Sequence, residues 1–464
     1  MFDARSAPEV TMTPLSDKAE LVTNEAPMDG CTDCHDKKPA LVNRRGLTII
    51  TAAVFIVGEM AGGGILSLPA ALKSAGWSGI MLLLFCAFLS AYTGVILGRS
   101  WQILKDRFPF YREHIRYPYP AIGFEAMGKA GRIAVTICVN VTLFSVTTVF
   151  LLVASDLFGG LLVKVHVHVS SCVWIPIFAI GLCPLTWLGT PKDFWPIAAG
   201  AAVSTGVACV LIVVQEIVDI GSVPDVQHPS PTFQSFFTAF GAILFAFGGH
   251  AIFPTVQHDM KDTRKFHWTV LVAYTIVVLY YLPVSVGGYV VYGDQLEPNI
   301  LDTLTGGTIT TIVIVMIMLH LTMGVIIVIN PFCQEIEELL KIPLRFGWKR
   351  IVLRTVVMAA VVFLAETIPK FSVILNLIGG TTVTLLTFVF PSLFYVLLRI
   401  RPSPDGAWCP KNIAIWEYIL HAEIILVGLV GGVASTYSEI YEIATAEGPT
   451  LSLPCYVVRN GTAG

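Results

Sequence analysis

Gly58-Glu59-Met60-Ala61-Gly62-Gly63-Gly64-Ile65-Leu66-Ser67-Leu68-Pro69 lies inside an otherwise apolar run that begins near Leu47. Glycine is the poorest ordinary residue for a helix interior, costing about 1 kcal/mol relative to alanine. Three in succession leave the backbone little reason to stay helical. A carboxylate, Glu59, lies beside them, three residues before Gly62. In water the stretch would read as a loop; flanked by apolar sequence of membrane length, it reads as a helix interrupted in mid-bilayer. Such interruptions are tolerated only where protein or a water-filled cavity satisfies the freed N–H and C=O groups. A second stretch, Phe245-Ala246-Phe247-Gly248-Gly249-His250-Ala251-Ile252-Phe253-Pro254, has the same order of glycines, short apolar run and proline around one ionisable residue. Paired interruptions in corresponding halves of a hydrophobic chain point to a binding site at the membrane midplane.

The rest of the composition agrees. Of 464 residues, 55% are hydrophobic and 13% charged, with a mean hydropathy of +0.74. Soluble domains carry about 25% charged residues, so the chain is an all-α polytopic membrane protein. Its net charge is −3, and its basic residues are spread over many loops, with no stripe that would fit nucleic acid. Ten scattered cysteines imply no disulfide framework. Residues 1–45 are polar, carry Pro8, Pro14, Pro27 and Pro39, and show no signal peptide; they read as a disordered cytoplasmic tail. Within them, Cys31-Thr32-Asp33-Cys34-His35 matches a haem-attachment pattern by chance or binds metal weakly.

At about 20 apolar residues per span, the hydrophobic runs predict eleven transmembrane helices in a domain covering 46–437. They fall near 47–72, 78–98, 131–162, 171–190, 194–218, 233–256, 267–292, 306–335, 351–367, 371–399 and 412–437. Arg354, near the start of the ninth, can snorkel to the interface. A cytoplasmic N-terminus places only Lys73, Lys164, Lys370 and Arg459 outside, leaving 25 of the 29 Lys and Arg residues inside, as the positive-inside rule requires. An odd number of spans then makes residues 438–464 an exoplasmic tail. Cys172 and Cys455 both map to that side, which leaves a disulfide between them open. The two interrupted helices are the first and sixth, five spans apart. Helices 1–5 and 6–10 are thus expected to form an inverted repeat, with helix 11 an addition.

These residues resemble the amino acid/auxin permease family of the amino acid–polyamine–organocation superfamily. The resemblance rests on Gly62-Gly63-Gly64-Ile65-Leu66-Ser67-Leu68-Pro69-Ala70-Ala71 followed by Gly76-Trp77, on the sixth helix, on Asn330-Pro331, and on Asn376-Leu377-Ile378-Gly379-Gly380. It implies eleven spans, a cytoplasmic N-terminus, the five-plus-five repeat and amino acid transport. Sodium-coupled members of that family carry an asparagine where this chain has Gly58, so the departure implies a proton as the driving ion.

An amino acid brings a carboxylate and an ammonium group. The half-helix restarting near Gly64 presents unpaired N–H groups and the positive end of a dipole to the first. Unwound carbonyls of Gly58–Ala61 and Ala246–Gly248 can accept from the second. Gly58, Gly62, Gly63, Gly64, Ala246, Phe247 and Gly248 are therefore the candidate substrate-binding residues, although small residues also serve close helix packing. Further lining is expected from helices 3, 6, 8 and 10. Glu59, costly as a buried anion, should carry a proton in at least one state of a cycle, and His250 could share it; either could instead be a structural hydrogen-bonding group. His320 reads as a packing residue. The chain is expected to be a secondary active transporter of small neutral amino acids, with no cofactor beyond the coupling proton, no resident metal and no enzymatic nucleophile–base pair. A receptor that senses an amino acid on the same fold is the rival reading, and sodium coupling a second. Plasma and endolysosomal membranes are equally compatible with this topology, and oligomeric state leaves no trace in the sequence.

The predicted topology makes Asn460, in Asn460-Gly461-Thr462, the glycan acceptor, whereas Asn140-Val141-Thr142 lies within a span. Asn460→Gln should abolish the glycosidase-sensitive gel shift and Asn140→Gln should leave it. A C-terminal epitope on surface-located protein that stains only after permeabilisation would contradict the eleven-span map.

Overall fold

The computed structural model describes residues 46–112, 115, 117–167, 169–187, 195–343, 346–401, 413–445 and 454–455. The first predicted span is two helices, α1 (Ile49–Met60) and α2 (Gly63–Ala75), bent by 60° across Ala61-Gly62. Thr48 and Thr51 cap the start of α1 reciprocally, supplying partners for N–H groups that a helix start leaves orphaned. No side chain caps the start of α2. Next come α3 (Ser78–Arg107) and α4 (Pro118–Val163). α4 begins thirteen residues before the predicted third span at 131, interrupted at Gly128, whose φ of 69° suits glycine. Glu125, Lys129 and Arg132 had hidden that helical start from a hydropathy reading.

α5 (Ser171–Trp187) and α6 (Trp195–Asp219) lead to the second interruption. There α7 (Phe233–Ala246) stops, Phe247 and Gly248 are non-helical, a 3-10 turn covers Gly249–Ala251, and α8 (Phe253–His258) follows. The chain continues through α9 (Phe266–Tyr292), the one-turn α10 (Ile300–Thr303), α11 (Thr308–Leu339) and α12 (Trp348–Thr367). The predicted tenth span is α13 (Phe371–Ile378), two π-helical stretches at Gly379–Val383 and Leu385–Val389, and α14 (Phe390–Ile400). α15 (Ile415–Thr445) runs past its predicted end at 437.

Eight helices among the described residues are long and apolar enough to cross a membrane, or nine when α1 and α2 count as one span. The predicted fourth and ninth spans are helical but fall outside that set. α5 has 17 residues, and α12 carries Lys349, Arg350, Arg354 and Glu366 within its 20.

The two interrupted spans run in opposite directions. Leu47, just before α1, forms an isolated parallel bridge with Met260, just after α8, through Leu47 N–H to Asp259 O and Lys261 N–H to Leu47 O, both 2.8 Å. α1 therefore starts where α8 ends, and α2 packs along α7. Around this pair, α11 packs on α4 and α6, and α12 on α5 and α4.

A buried ion cluster ties α11, α12 and α5 together. Glu337 accepts from Arg354 Nε at 2.6 Å and lies 3.1 Å from Arg350 Nε. Arg354 Nη1 also donates to Thr186 O at 2.5 Å and to Asn330 Oδ1 at 3.0 Å. Arg354 is 1% exposed, so it does not snorkel: its charge finds a carboxylate and two oxygens inside the bundle. Asn330, of the Asn330-Pro331 motif, is one of them.

Removing one partner of a buried pair costs about 3–5 kcal/mol, because the other charge is left without compensation. Arg354→Met should lower the melting temperature of the purified protein in detergent accordingly. The double variant Arg354→Met/Glu337→Gln should recover part of the loss; an Arg354→Met protein melting like wild type would contradict the cluster's role.

Candidate functional site

Between the two interruptions lies a cavity of about 40 Å³. The first interruption contributes Glu59, Met60, Gly63 and Gly64, and the second Phe245, Gly248, Gly249, Ala251 and Ile252. Thr142, Leu143, Val146 and Phe150 of α4, Val328 of α11 and Val383 of the first π-helical stretch close the walls. The cavity is thus lined from predicted helices 1, 3, 6, 8 and 10. Small-molecule sites occupy roughly 300–1,000 Å³, so this cavity admits a ligand only if its walls move.

Glu59 occupies the last turn of α1, half-buried on the cavity. No group among the described residues hydrogen-bonds to its carboxylate. Gly63 and Gly64 open α2, where the first N–H groups of a helix have no partner within it; these two line the same cavity. A carboxylate and a set of free N–H donors thus border one small space. At its polar edge Thr142 and Thr382 hydroxyls hydrogen-bond at 2.7 Å.

The freed carbonyls are more occupied than expected. Tyr281 on α9 points its hydroxyl at both interruptions, 2.9 Å from Met60 O and 3.0 Å from Ala246 O. Met60 O also accepts from Gly62 N–H at 2.8 Å, which uses both of its lone pairs. Phe247 O accepts from Gly249 N–H at 3.0 Å and from Tyr274 Oη at 3.3 Å. Met60 and Phe247 carbonyls are therefore saturated, and Glu59 is left as the strongest acceptor facing the cavity.

The structure separates the candidate glycines by what a Cβ would meet. At Gly58 it would stand 2.3 Å from Ala198 O, and at Gly64 2.6 Å from Ala246 Cα. These two let α1 approach α6 and α2 approach α7. At Gly62 it would press on the Phe150 ring at 2.6 Å and on His320 Nε2 at 2.7 Å. At Gly63 it would meet only Phe150 and Val149 side chains at 3.4 Å, an ordinary contact. Glu59, Gly63, Gly64 and Gly248 line the cavity; Gly58, Gly62, Ala246 and Phe247 lie behind the lining as packing residues.

His250 is also set apart from the cavity. Its ring is fully buried, stacked on Phe253 at 4.7 Å between centroids, with Nε2 3.1 Å from Thr93 Oγ1 of α3. Asn460 lies outside the described residues. Thr142, Phe150, Tyr281 and Val328 are the contributors that sequence reasoning missed, since each stands in a uniform apolar helix with nothing to set its rotation. A second cavity of about 210 Å³ borders Asp156, Asn299, Asp302 and the Cys172–Cys455 disulfide. That bridge joins residues 283 apart, with Cα atoms 5.4 Å apart, closing the pairing the sequence left open. No group of three or more His, Cys, Asp or Glu residues suited to a metal ion occurs among the described residues.

Residues 45–438 match the profile of the family described as transmembrane amino acid transporter protein. Among similar proteins is the amino acid transporter AVT1E of Arabidopsis thaliana, 25% identical over 413 residues, covering 85% of this chain and 73% of the relative. Another is AVT1C of the same organism, 26% identical over 397 residues, covering 83% and 68%. A third, AVT1J, is 25% identical over 418 residues, covering 86% and 93%. The fold is shared with the solved structure of MHP1, a nucleobase-cation-symport-1 family transporter in a closed conformation, at a TM-score of 0.53 and 14% identity. The match covers 88% of this chain and 95% of that one.

The glycine geometry predicts opposite behaviour at neighbouring positions. Gly63→Val should leave folding and membrane insertion intact but abolish substrate binding, because the added methyls enter the cavity. Gly64→Val should destabilise the protein, because backbone would have to separate from backbone. Size-exclusion profiles and binding assays on both variants check this; wild-type kinetics in Gly63→Val would remove that residue from the site.

Proposed function

Since the chain belongs to the transmembrane amino acid transporter family, we propose that it moves small neutral amino acids across a membrane as a proton-driven secondary active transporter. The observation that carries this reading is the cavity between the interruptions. The unpaired N–H groups at the start of α2 suit a substrate carboxylate. Glu59 and the remaining backbone acceptors suit the ammonium group. Leu143, Val146, Phe150, Ile252, Val328 and Val383 offer an apolar surface to a small uncharged side chain and no partner for a charged one.

Alternating access is the movement that this reading requires. A 40 Å³ space opens only by movement of the segments around it, and the non-helical pairs Ala61-Gly62 and Phe247-Gly248 are the hinges available to α2 and α7. The antiparallel setting of the two broken spans supports the five-plus-five inverted repeat. With α5 and α12 as the fourth and ninth spans the count is eleven, with the N-terminus cytoplasmic, in the plasma membrane or an endolysosomal one. Gly58 supplies no side chain to hold sodium, which favours the proton.

Glu59 is the proton carrier in this scheme. Ionised and without a partner it would cost several kcal/mol, so a proton should occupy it in the closed state. Neutralised, it favours closure around substrate; release toward the cytoplasm charges it again and reopens the site. The difference in affinity between the two protonation states links the gradient to the cargo. Reconstituted vesicles given a panel of amino acids, with imposed proton or sodium gradients, test the proposal. Uptake driven by the proton gradient is expected, and binding without movement would instead indicate a receptor. Glu59→Gln, which mimics the protonated form, should keep exchange but lose pH-driven accumulation. Undiminished accumulation with unchanged pH dependence would make Glu59 structural.

A further inference from the structure

The proton-driven reading of the break cavity, on which this inference rests, assigns its proton to Glu59. A second titratable atom stands at the same interruption. His320 of α11 is fully buried, with Nδ1 3.0 Å from Ala201 O and 2.8 Å from Thr205 Oγ1, both on α6. A carbonyl oxygen can only accept, so Nδ1 carries the hydrogen and donates it there. The neutral ring then has its lone pair on Nε2. That atom is buried and has no hydrogen-bond partner among the described residues.

Nε2 is aimed at the interruption: a Cβ on Gly62 would stand 2.7 Å from it. Only glycine at 62 leaves the lone pair unobstructed on that side. The Phe150 ring, which lines the cavity, meets the imidazole edge-on with centroids 6.0 Å apart. The surroundings are otherwise uncharged. α6 presents Ala201 and Thr205, α4 presents Phe150, and no charged side chain among the described residues acts on the ring. On the interrupted segment the titratable group is Glu59, three residues before Gly62.

We propose that Nε2 of His320 is a second proton-binding atom of this site, distinct from Glu59. A proton arriving from water through the cavity bonds to the Nε2 lone pair, past a displaced Phe150 ring. The imidazolium so formed has a new N–H that donates to a freed carbonyl of the interruption and holds it to α11. Loss of the proton to water restores the neutral ring and releases the break. Gly62 is required for this contact, and Thr205 positions the ring from the other side.

The test is exchange of labelled amino acid in reconstituted vesicles, with equal substrate and equal pH on both sides, across the range of about pH 5 to 8 in which an imidazole titrates. No gradient acts, so any pH dependence belongs to the site itself. Wild type should show a titration, and His320→Gln should remove the part of it that belongs to the imidazole, leaving that of Glu59. An unchanged profile in His320→Gln, or a flat one in wild type, overturns the assignment. Should His320→Gln fail to fold, Thr205→Val decides, since it keeps the ring and removes one partner of Nδ1. A shifted midpoint supports the proposal and an unmoved one overturns it. A wild-type protein that exchanges no amino acid fails the transport reading itself, an outcome distinct from any of these.

Discussion

A single hydroxyl on α9 reaches both interruptions. Tyr281 lies 2.9 Å from Met60 O and 3.0 Å from Ala246 O, and it is fully buried. Inside a bilayer a freed carbonyl has no water to turn to, and leaving one unsatisfied costs several kcal/mol. Two broken helices placed side by side therefore need donors brought from elsewhere. Tyr281 brings one O–H that the two breaks share, and Tyr274 donates another to Phe247 O. The shared hydroxyl also couples the breaks, because it ties the end of α1, at Met60 O, to the end of α7, at Ala246 O.

What surrounds this pair is stiff for a different reason. α11, α12 and α5 are joined by Glu337, Arg350 and Arg354, charges whose separation inside the bundle would be far more costly than breaking a neutral hydrogen bond. α2 and α7 instead approach closely where Gly64 faces Ala246. The contrast divides the molecule into a part held by charge and a part held by close backbone contact. The cavity lies where the two meet, with Phe150 and Val328 on one side and the glycines on the other.

Much of this was legible in the sequence because it was written in glycine and in the absence of charge. Gly62-Gly63-Gly64 and Gly248-Gly249 marked both interruptions, and Glu59 stood out as a carboxylate in an apolar run. Rotation about a helix axis leaves no such mark. In α4 and α11 nearly every position is apolar, so nothing distinguished Phe150 or Val328 from residues facing lipid. Gly58, Gly63 and Gly64 look alike as letters, yet one packs on Ala198, one opens on the cavity and one touches Ala246. Arg354 was misread for a related reason: a cation near a helix end usually reaches for water, and its partner Glu337 lies 17 residues earlier, across a turn of chain. The start of α4 was missed because its charges resemble those of a loop.

The disulfide between Cys172 and Cys455 has a consequence for how the protein is made. Cys455 follows α15, whereas Cys172 opens α5, so the bond cannot close until every helix from α5 to α15 has been synthesised. Disulfides persist in oxidising compartments and are rare in the cytosol. A chain in which one intervening span failed to insert would deliver Cys455 to the face of the membrane opposite Cys172, where the bond could not close. The covalent link therefore reports that the spans between the two cysteines were threaded with the parity that brings both to one face.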